Sequence, residues 1–520
     1  MPEAKPGENP NTEGKSKGMD TAQQQRASLV IASNRGPVER RTGDGGRVVV
    51  NRGAGGLIAV LGPALASHGG VWVAAALTDE DRAAARELRA RGRLDEVDLP
   101  EGPIGVRLLD LDPALFAAYY QTVSTELLWF LQHHLPLGGK SAFDAELRSH
   151  WDGYRRVNGE FAAACAESAL PGGTVLLQDY HLTLAPRRLR ELRPDLRSAH
   201  CTMTPWADPE RFAVLPVDVQ RELVTGLLGA DLVCFLVPRW AEAFLSCCEQ
   251  LGLRTDRARR AVRGPDGRWS RVRCFPVGVD AEALHTRAAA PDVAEHERRL
   301  RALTGDARLV VRVDRMEPSK NIVRGLEAYA RFLEQHPGRH GSVVHFVLAY
   351  ASRGELAAYR ELATQVEMLV AGINERFGRD GWQPVVLETR NDFGRGLAAM
   401  ALADVLVVNP VRDGMNLVAK EAAVLSRRDL ALVLSRHAGA ADDLAGGCVL
   451  IDPFDVQELA DAIAAGLDLS RAERAERLER LRKGAVALPP ERWLTGVLTE
   501  LAHAAEEEGQ GAERAVEAAE

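Results

Sequence analysis

The stretch Asp404-Val-Leu-Val-Val-Asn-Pro-Val-Arg-Asp413-Gly-Met-Asn-Leu-Val-Ala-Lys-Glu421-Ala-Ala-Val-Leu425 decides the fold. Its apolar run, Val405 to Val408, reads as a buried parallel strand. A short loop turns through Asp413-Gly414, and a helix opens near Met415. Bare backbone N–H groups at a helix start, with the positive end of the helix dipole, form an anion site. Gly414 lets a ligand come close to the backbone. Glu421, about two turns along the helix, is placed to accept from a pair of hydroxyls, as on a ribose. Asp413, beyond the strand's carboxyl end, is placed to hold a polar substrate by its hydroxyls. Together these describe a sugar-nucleotide pocket. The plainer alternative is an ordinary strand–loop–helix unit with solvated charges.

A second stretch calls for the same ligand. Arg312-Val-Asp-Arg315-Met-Glu-Pro-Ser-Lys320-Asn321 ends another strand. Arg315 and Lys320, separated by a turn around Pro318, can grip a diphosphate and stabilise it as it leaves with added negative charge. That contact strengthens in the transition state, so it serves catalysis as well as binding.

Strands and helices alternate on both sides of these stretches. Residues 1–26 are read as a disordered leader, poor in aliphatics. A first doubly wound domain covers 27–280, with strands at Ser28–Ser33, Val71–Leu77, Gly105–Leu111, Thr174–Leu177, Ser198–Met203, Asp231–Val237 and Arg271–Val279. A second domain covers 281–488, with strands from Arg308, Val343, Val385, Val405, Leu430 and Cys448. Pro489-Pro490 precede a last helix to 505, and 506–520 reads as a disordered acidic tail. The fold class is α/β, two Rossmann-like domains facing across a cleft, with ligands beyond the carboxyl ends of the strands.

Bulk properties narrow the function. A chain of 520 residues with 46% hydrophobic and 27% charged residues is an ordinary globular protein of more than one core. A formal charge of −8 argues against a nucleic-acid binder. No window reads as a membrane span or signal segment, which makes the cytoplasm the expected compartment. The seven cysteines show no CxxC pair and read as buried thiols.

The first domain adds a candidate grip on a second anion. Arg35 follows the first strand, Arg353 lies in Ala351-Ser-Arg-Gly354, and Asp179 ends another strand in Leu176-Leu-Gln-Asp-Tyr-His-Leu182. Tyr120 and Trp129 are nine apart, which on an unbroken α-helix puts them on nearly opposite faces. They share a pocket only if the helix bends or ends between them, and spacing alone reads them as core aromatics.

These pieces resemble the trehalose-6-phosphate synthase family of retaining glycosyltransferases. The likeness rests on Ser33-Asn-Arg35, Gly55-Gly-Leu57, Tyr120 through Trp129, Asp179-Tyr-His-Leu182, Arg315 with Lys320, Ser352-Arg353 and Asp413 through Glu421, and it spans most of 28–505. It implies the two-domain GT-B fold, a last helix crossing back to the first domain, and no required metal or cofactor. It implies a nucleotide-sugar donor, uridine or guanosine diphosphate glucose in type, and a sugar 6-phosphate acceptor, joined as an α,α-1,1 product. By position it implies that Gly55 and Gly56 present amides to the donor. Arg315, Lys320 and the amides of Gly414, Met415, Asn416 and Leu417 hold its diphosphate. Asp413 meets the donor sugar and Glu421 the ribose. Arg35, Tyr120 and Arg353 take the acceptor's phosphate, with Trp129 and Asp179 on its ring side. The catalytic set is then Arg315, Lys320, Asp179 and Asp413. Oligomeric state is left open.

One departure bears on the donor. Where the family has a histidine that contacts the donor's 6-hydroxyl, this chain has Met203, in Cys201-Thr-Met-Thr-Pro-Trp206. A thioether cannot donate a hydrogen bond. Either the glucosyl donor binds somewhat more weakly, or the donor is altered at C6, as in aminocyclitol or aminosugar pathways. A non-catalytic sugar-phosphate sensor is the third alternative. Asp110-Leu-Asp112 spells a metal-binding DxD, but nothing near it in sequence supports a metal-bound diphosphate. It is set aside.

Overall fold

The computed structural model describes residues 26–43, 47–52, 61–62, 65–99, 102–138 and 142–517. Two sheets carry the chain. In the first, the strands Gly102–Leu109, Val71–Ala75, Ala27–Ala32, Ala169–Gln178, Arg197–Cys201, Leu232–Phe235 and Trp269–Cys274 lie side by side in that spatial order, all parallel. The second runs Val385–Glu388, Val343–Tyr350, Arg308–Arg315, Val405–Val408, Ala431–Ser435, Val449–Ile451, again all parallel. Each run read as a strand is one, because a strand covered on both faces must be apolar throughout. Val405–Val408 is buried at every position.

The elements that the sequence did not announce sit at edges. Asp95–Leu99 and the pair Thr255–Asp256, Ala261–Arg263 close the first sheet on either side by antiparallel pairing. Val38–Thr42 and Val48–Arg52 form a separate hairpin. These strands are short, and most are charged or polar; Val48, Val49 and Val50 alone make an apolar run, and they are exposed.

Successive residues along Arg308–Arg315 feed two cores. Leu309, Val311 and Val313 point into a core continuous with the first domain; Val310 joins a second on the opposite face, with Val347, Val405, Val407 and Val433. Arg312, on that second side, is fully buried.

The chain crosses back at its end. Gly278 N–H donates to the Leu488 carbonyl and Val279 N–H to that of Ala485, where a side chain on Gly278 would strike the backbone. The helix Pro490–Glu517 then packs on Arg197–Cys201 and Leu232–Phe235, and Glu500 pairs with Arg271 and Arg273 of the first sheet. This corrects the reading of 506–520 as a disordered tail: the helix continues to Glu517. Alanine and glutamate, frequent in this stretch, are strong helix formers. Residues 1–25 of the expected leader lie outside the described residues. No helix among the described residues is long and apolar enough to cross a membrane.

Candidate active site

The second sheet offers its cations at the carboxyl end of Arg308–Arg315. The Lys320 ammonium lies 2.6 Å from Asp413 Oδ2, which also accepts from Asn416 Nδ2 at 3.2 Å. Burial opposes charge on both partners, yet their attraction outweighs it, holding Lys320 above the ordinary lysine pKa and Asp413 below the ordinary aspartate one. Both are therefore ionised at neutral pH. Beneath them the buried Arg312 guanidinium donates to Asp314 Oδ2 at 2.8 Å and to the Lys320 carbonyl at 3.0 Å. Asn321 adopts a left-handed φ of 58° and ties the turn to the carbonyls of Asn409 and Pro453. The Lys320 backbone is thus fixed from below, and its ammonium is held by Asp413.

Arg353 is the centre of the second candidate anion site. Its side chain is 11% exposed. It donates to the hydroxyls of Tyr359 at 2.8 Å, Tyr180 at 3.3 Å and Tyr120 at 3.5 Å, and lies over the Trp129 ring, 5.3 Å from its centroid. Burial resists ionisation of the Tyr120 phenol, but Arg353 and Arg35, which both donate to it, outweigh that and hold its pKa below the usual value. Arg35 itself is exposed, its backbone carbonyl fixed by Ser33 Oγ at 2.6 Å, which in turn accepts from the buried Trp72 indole.

Tyr120 and Trp129 are both buried core aromatics, as spacing alone reads them, yet both reach Arg353 without the bend or break that seemed necessary. Residues Ala118–Trp129 form a π-helix. Nine residues make about two and a half turns of an α-helix but close to two turns once each ring widens to i→i+5. The wider turn brings both residues to one face. Thr125 Oγ1, donating to the Tyr120 carbonyl five residues earlier at 2.9 Å, fits that register.

The two domains meet at the loop after Val405–Val408. A side chain on Gly414 would overlap the Met203 carbonyl oxygen, and the Gly414 carbonyl accepts from Trp240 Nε1 at 3.1 Å. The close approach that the missing side chain of Gly414 allows is that of the other domain's backbone, at Met203. Met203 is half-buried, and its N–H donates to Asp179 Oδ1 at 3.2 Å. Asp179 has a φ of 68°, and burial pushes its pKa up to about 6 despite three backbone donors. Beside this seam Arg412 reaches across to Asp208, at 3.1 Å to both oxygens, and to His134, above the Trp240 ring. Gly414→Ala is expected to raise the donor KM about tenfold, since relieving such an overlap costs roughly 1–3 kcal/mol. Steady-state kinetics check this, with the unfolding temperature as control; an unchanged KM would show that the seam can open freely.

The remaining predicted residues fall as follows. The helix opens at Leu417, capped by Asn416, whose side chain accepts from the Ala419 N–H at 3.2 Å. Met415 is buried beneath the loop, its carbonyl taken by the Ala440 N–H. Glu421 stands one turn in, not two, and burial raises its pKa to about 7. Gly55 and Gly56 lie outside the described residues. The DxD pair is occupied otherwise: Asp110 accepts from Arg86 at 3.0 Å, and Asp112 caps the helix Pro113–Ala117.

Sequence reasoning missed the residues that join these groups. Glu317, wholly buried, lies 3.0 Å from Arg315 and 3.5 Å from Arg353. Tyr180 and Tyr359 complete the Arg353 cage. His133, held by the Trp129 carbonyl at 2.8 Å, is kept neutral by burial, its pKa near 4, within electrostatic reach of Asp413 and Lys320. Tyr180 alone carried a signal, as the neighbour of Asp179.

Known proteins resemble this chain in sequence and fold. A family model described as glycosyltransferase family 20 matches residues 27–503. A trehalose-6-phosphate synthase of Mycobacterium avium is 35% identical over 514 residues, 95% of this chain and 99% of that protein. A solved structure from E. coli in the trehalose-6-phosphate group, bound with UDP-2-fluoro glucose, is 27% identical with a TM-score of 0.78, covering 91% of this chain and 98% of its own. An α,α-trehalose-phosphate synthase (UDP-forming) from Burkholderia xenovorans, in complex with glucose-6-phosphate, is 25% identical with a TM-score of 0.78, covering 91% and 99%.

Proposed function

Since this chain belongs to glycosyltransferase family 20, we propose that its cleft transfers a hexosyl unit from a nucleoside diphosphate sugar to a sugar 6-phosphate, giving trehalose 6-phosphate or a close analogue. The observation that carries the reading is the presence of two cationic sites linked through one carboxylate: Arg315 with Lys320 after one strand, and Arg353 after its neighbour, joined by Arg35 of the first domain. One pair suits a diphosphate, the other a monophosphate. The relatives from E. coli and B. xenovorans, with their donor analogue and glucose 6-phosphate, support that division.

In this reading the diphosphate rests on Arg315, Lys320 and the helix start at Leu417, and Glu421 accepts from the ribose. Lys320 leaves Asp413 for the diphosphate, and Asp413 turns to the donor sugar's hydroxyls. The acceptor's anomeric oxygen attacks the anomeric carbon from the face the diphosphate leaves. The bond to the diphosphate breaks as the glycosidic bond forms, and the departing phosphate oxygen takes the acceptor's proton. The anomeric configuration is retained. Arg315 and Lys320 neutralise the charge that grows on the leaving group, so no step calls on a metal ion.

Met203 favours a second reading, in which the donor carries no hydrogen-bonding group at C6. Turnover with glucose 6-phosphate against a panel of nucleotide sugars, for wild type and Met203→His, separates the two. Good wild-type activity with a glucose nucleotide is expected, improved by about tenfold in Met203→His, the worth of one hydrogen bond. Activity only with C6-altered donors would transfer the assignment to the second reading.

A further inference from the structure

We infer that Glu317 is a positioning residue that holds Arg315 and Arg353 in one register, so that the donor's diphosphate and the acceptor's phosphate bind to a single coupled ion cluster. The inference rests on the reading of Arg315 and Arg353 given above. The Glu317 side chain is wholly buried. Its Oε1 accepts a hydrogen bond from Ser352 Oγ at 3.1 Å and forms ion pairs with Arg315 at 3.0 Å and Arg353 at 3.5 Å. Its Oε2 is buried without a hydrogen-bond partner.

The backbone explains how one carboxylate reaches both. Strands Arg308–Arg315 and Val343–Tyr350 end side by side, Arg315 opposite Tyr350. Met316 N–H extends the ladder by one bond to the Tyr350 carbonyl, and the chain then folds back so that Glu317 N–H meets the Arg315 carbonyl, both at 2.8 Å. On the neighbouring strand's loop, Arg353 takes a left-handed φ of 47°, an uncommon backbone for arginine. The turn after one strand and the strained residue after the next thereby converge on the same carboxylate.

A carboxylate with one bonded oxygen and one bare buried oxygen is a poor structural device, since a neutral side chain would fill the space at lower desolvation cost. What it supplies is fixed charge. Burial works against its ionisation, but Arg315, Arg353 and Lys320 together hold it ionised. Arg315 is the accessible member, its side chain 48% exposed, whereas Glu317 is wholly enclosed. An anion that engages Arg315 draws on the same charge that orients Arg353, so each site must feel the other's occupancy.

The test is Glu317→Gln, which keeps the shape and an acceptor oxygen but removes the charge. The expected result is a rise in both KM values, each about tenfold, with an unfolding temperature close to the wild type's. In the wild type, the Kd of the nucleoside diphosphate, measured by calorimetry, should differ with and without saturating glucose 6-phosphate. In Glu317→Gln that ratio should move to one, a change that a merely structural role would not produce. A rise in only one KM, in neither, or an unchanged ratio overturns the inference. Should Glu317→Gln not fold, Ser352→Ala carries the test: it frees the carboxylate without removing it, and should raise both KM values together by a smaller factor, whereas a shift in one or none overturns the inference. Arg315→Ala and Arg353→Ala serve as references. If the first leaves the donor KM unchanged and the second the acceptor KM, the site assignment itself falls, and not the coupling alone.

Discussion

Replacing Lys320 by alanine is expected to lower kcat about a hundred- to a thousandfold, the cost of removing one preorganised group from developing negative charge. Two losses combine. The leaving diphosphate loses a cation placed where its charge grows, and Asp413 loses the partner that keeps it ionised against burial. Left alone, Asp413 would either repel the diphosphate or take up a proton. A double-mutant cycle separates the two: if repulsion contributes, adding Asp413→Asn to Lys320→Ala should cost less than Asp413→Asn costs in the wild type. Lys320→Arg should not restore the rate, because the planar fork cannot replace a compact ammonium between Arg312-supported backbone and Asp413. A fall in kcat of less than tenfold would reduce Lys320 to an ion partner of Asp413.

What the sequence made legible follows from which interactions are local. The central strands announce themselves because burial on both faces leaves no room for polar residues, as at Val405–Val408 and Ala431–Ser435. The residues at strand ends, Arg315, Asp179 and Asp413, could be marked because topology alone sends such positions to the cleft. The π-helix could not be read. Its sequence, Ala118–Trp129, alternates aromatic, polar and aliphatic residues without any spacing that separates a wide turn from an ordinary one. Glu317 was equally silent, for it sits in a turn beside Pro318, where a glutamate usually meets water. Only the neighbouring strand, 35 residues on, brings Ser352 and Arg353 against it. Gly414 could be marked as a place of close approach, but sequence does not show that the protein's own backbone, at Met203, comes near it.

Arg353→Ala is expected to raise the acceptor KM a few hundredfold, about 3–4 kcal/mol, while nucleoside diphosphate binding moves by less than about threefold. The asymmetry follows from the cage. Without the guanidinium, the hydroxyls of Tyr120, Tyr180 and Tyr359 lose their common donor, and the acceptor's phosphate keeps only Arg35. Glu317 still has Arg315, so the donor side keeps its ion pair at 3.0 Å. The Trp129 face also survives, and with it the apolar contact for a sugar ring. The loss should therefore be specific to the phosphate rather than to the sugar. Comparing glucose 6-phosphate with glucose makes that visible: the wild type should favour the phosphorylated acceptor strongly in kcat/KM, and Arg353→Ala should bring the ratio down by most of the same few hundredfold. A variant that loses activity on both acceptors alike would mean that Arg353 braces the Tyr120–Trp129 face instead of binding the phosphate, and the acceptor's anion would then have to be sought at Arg35.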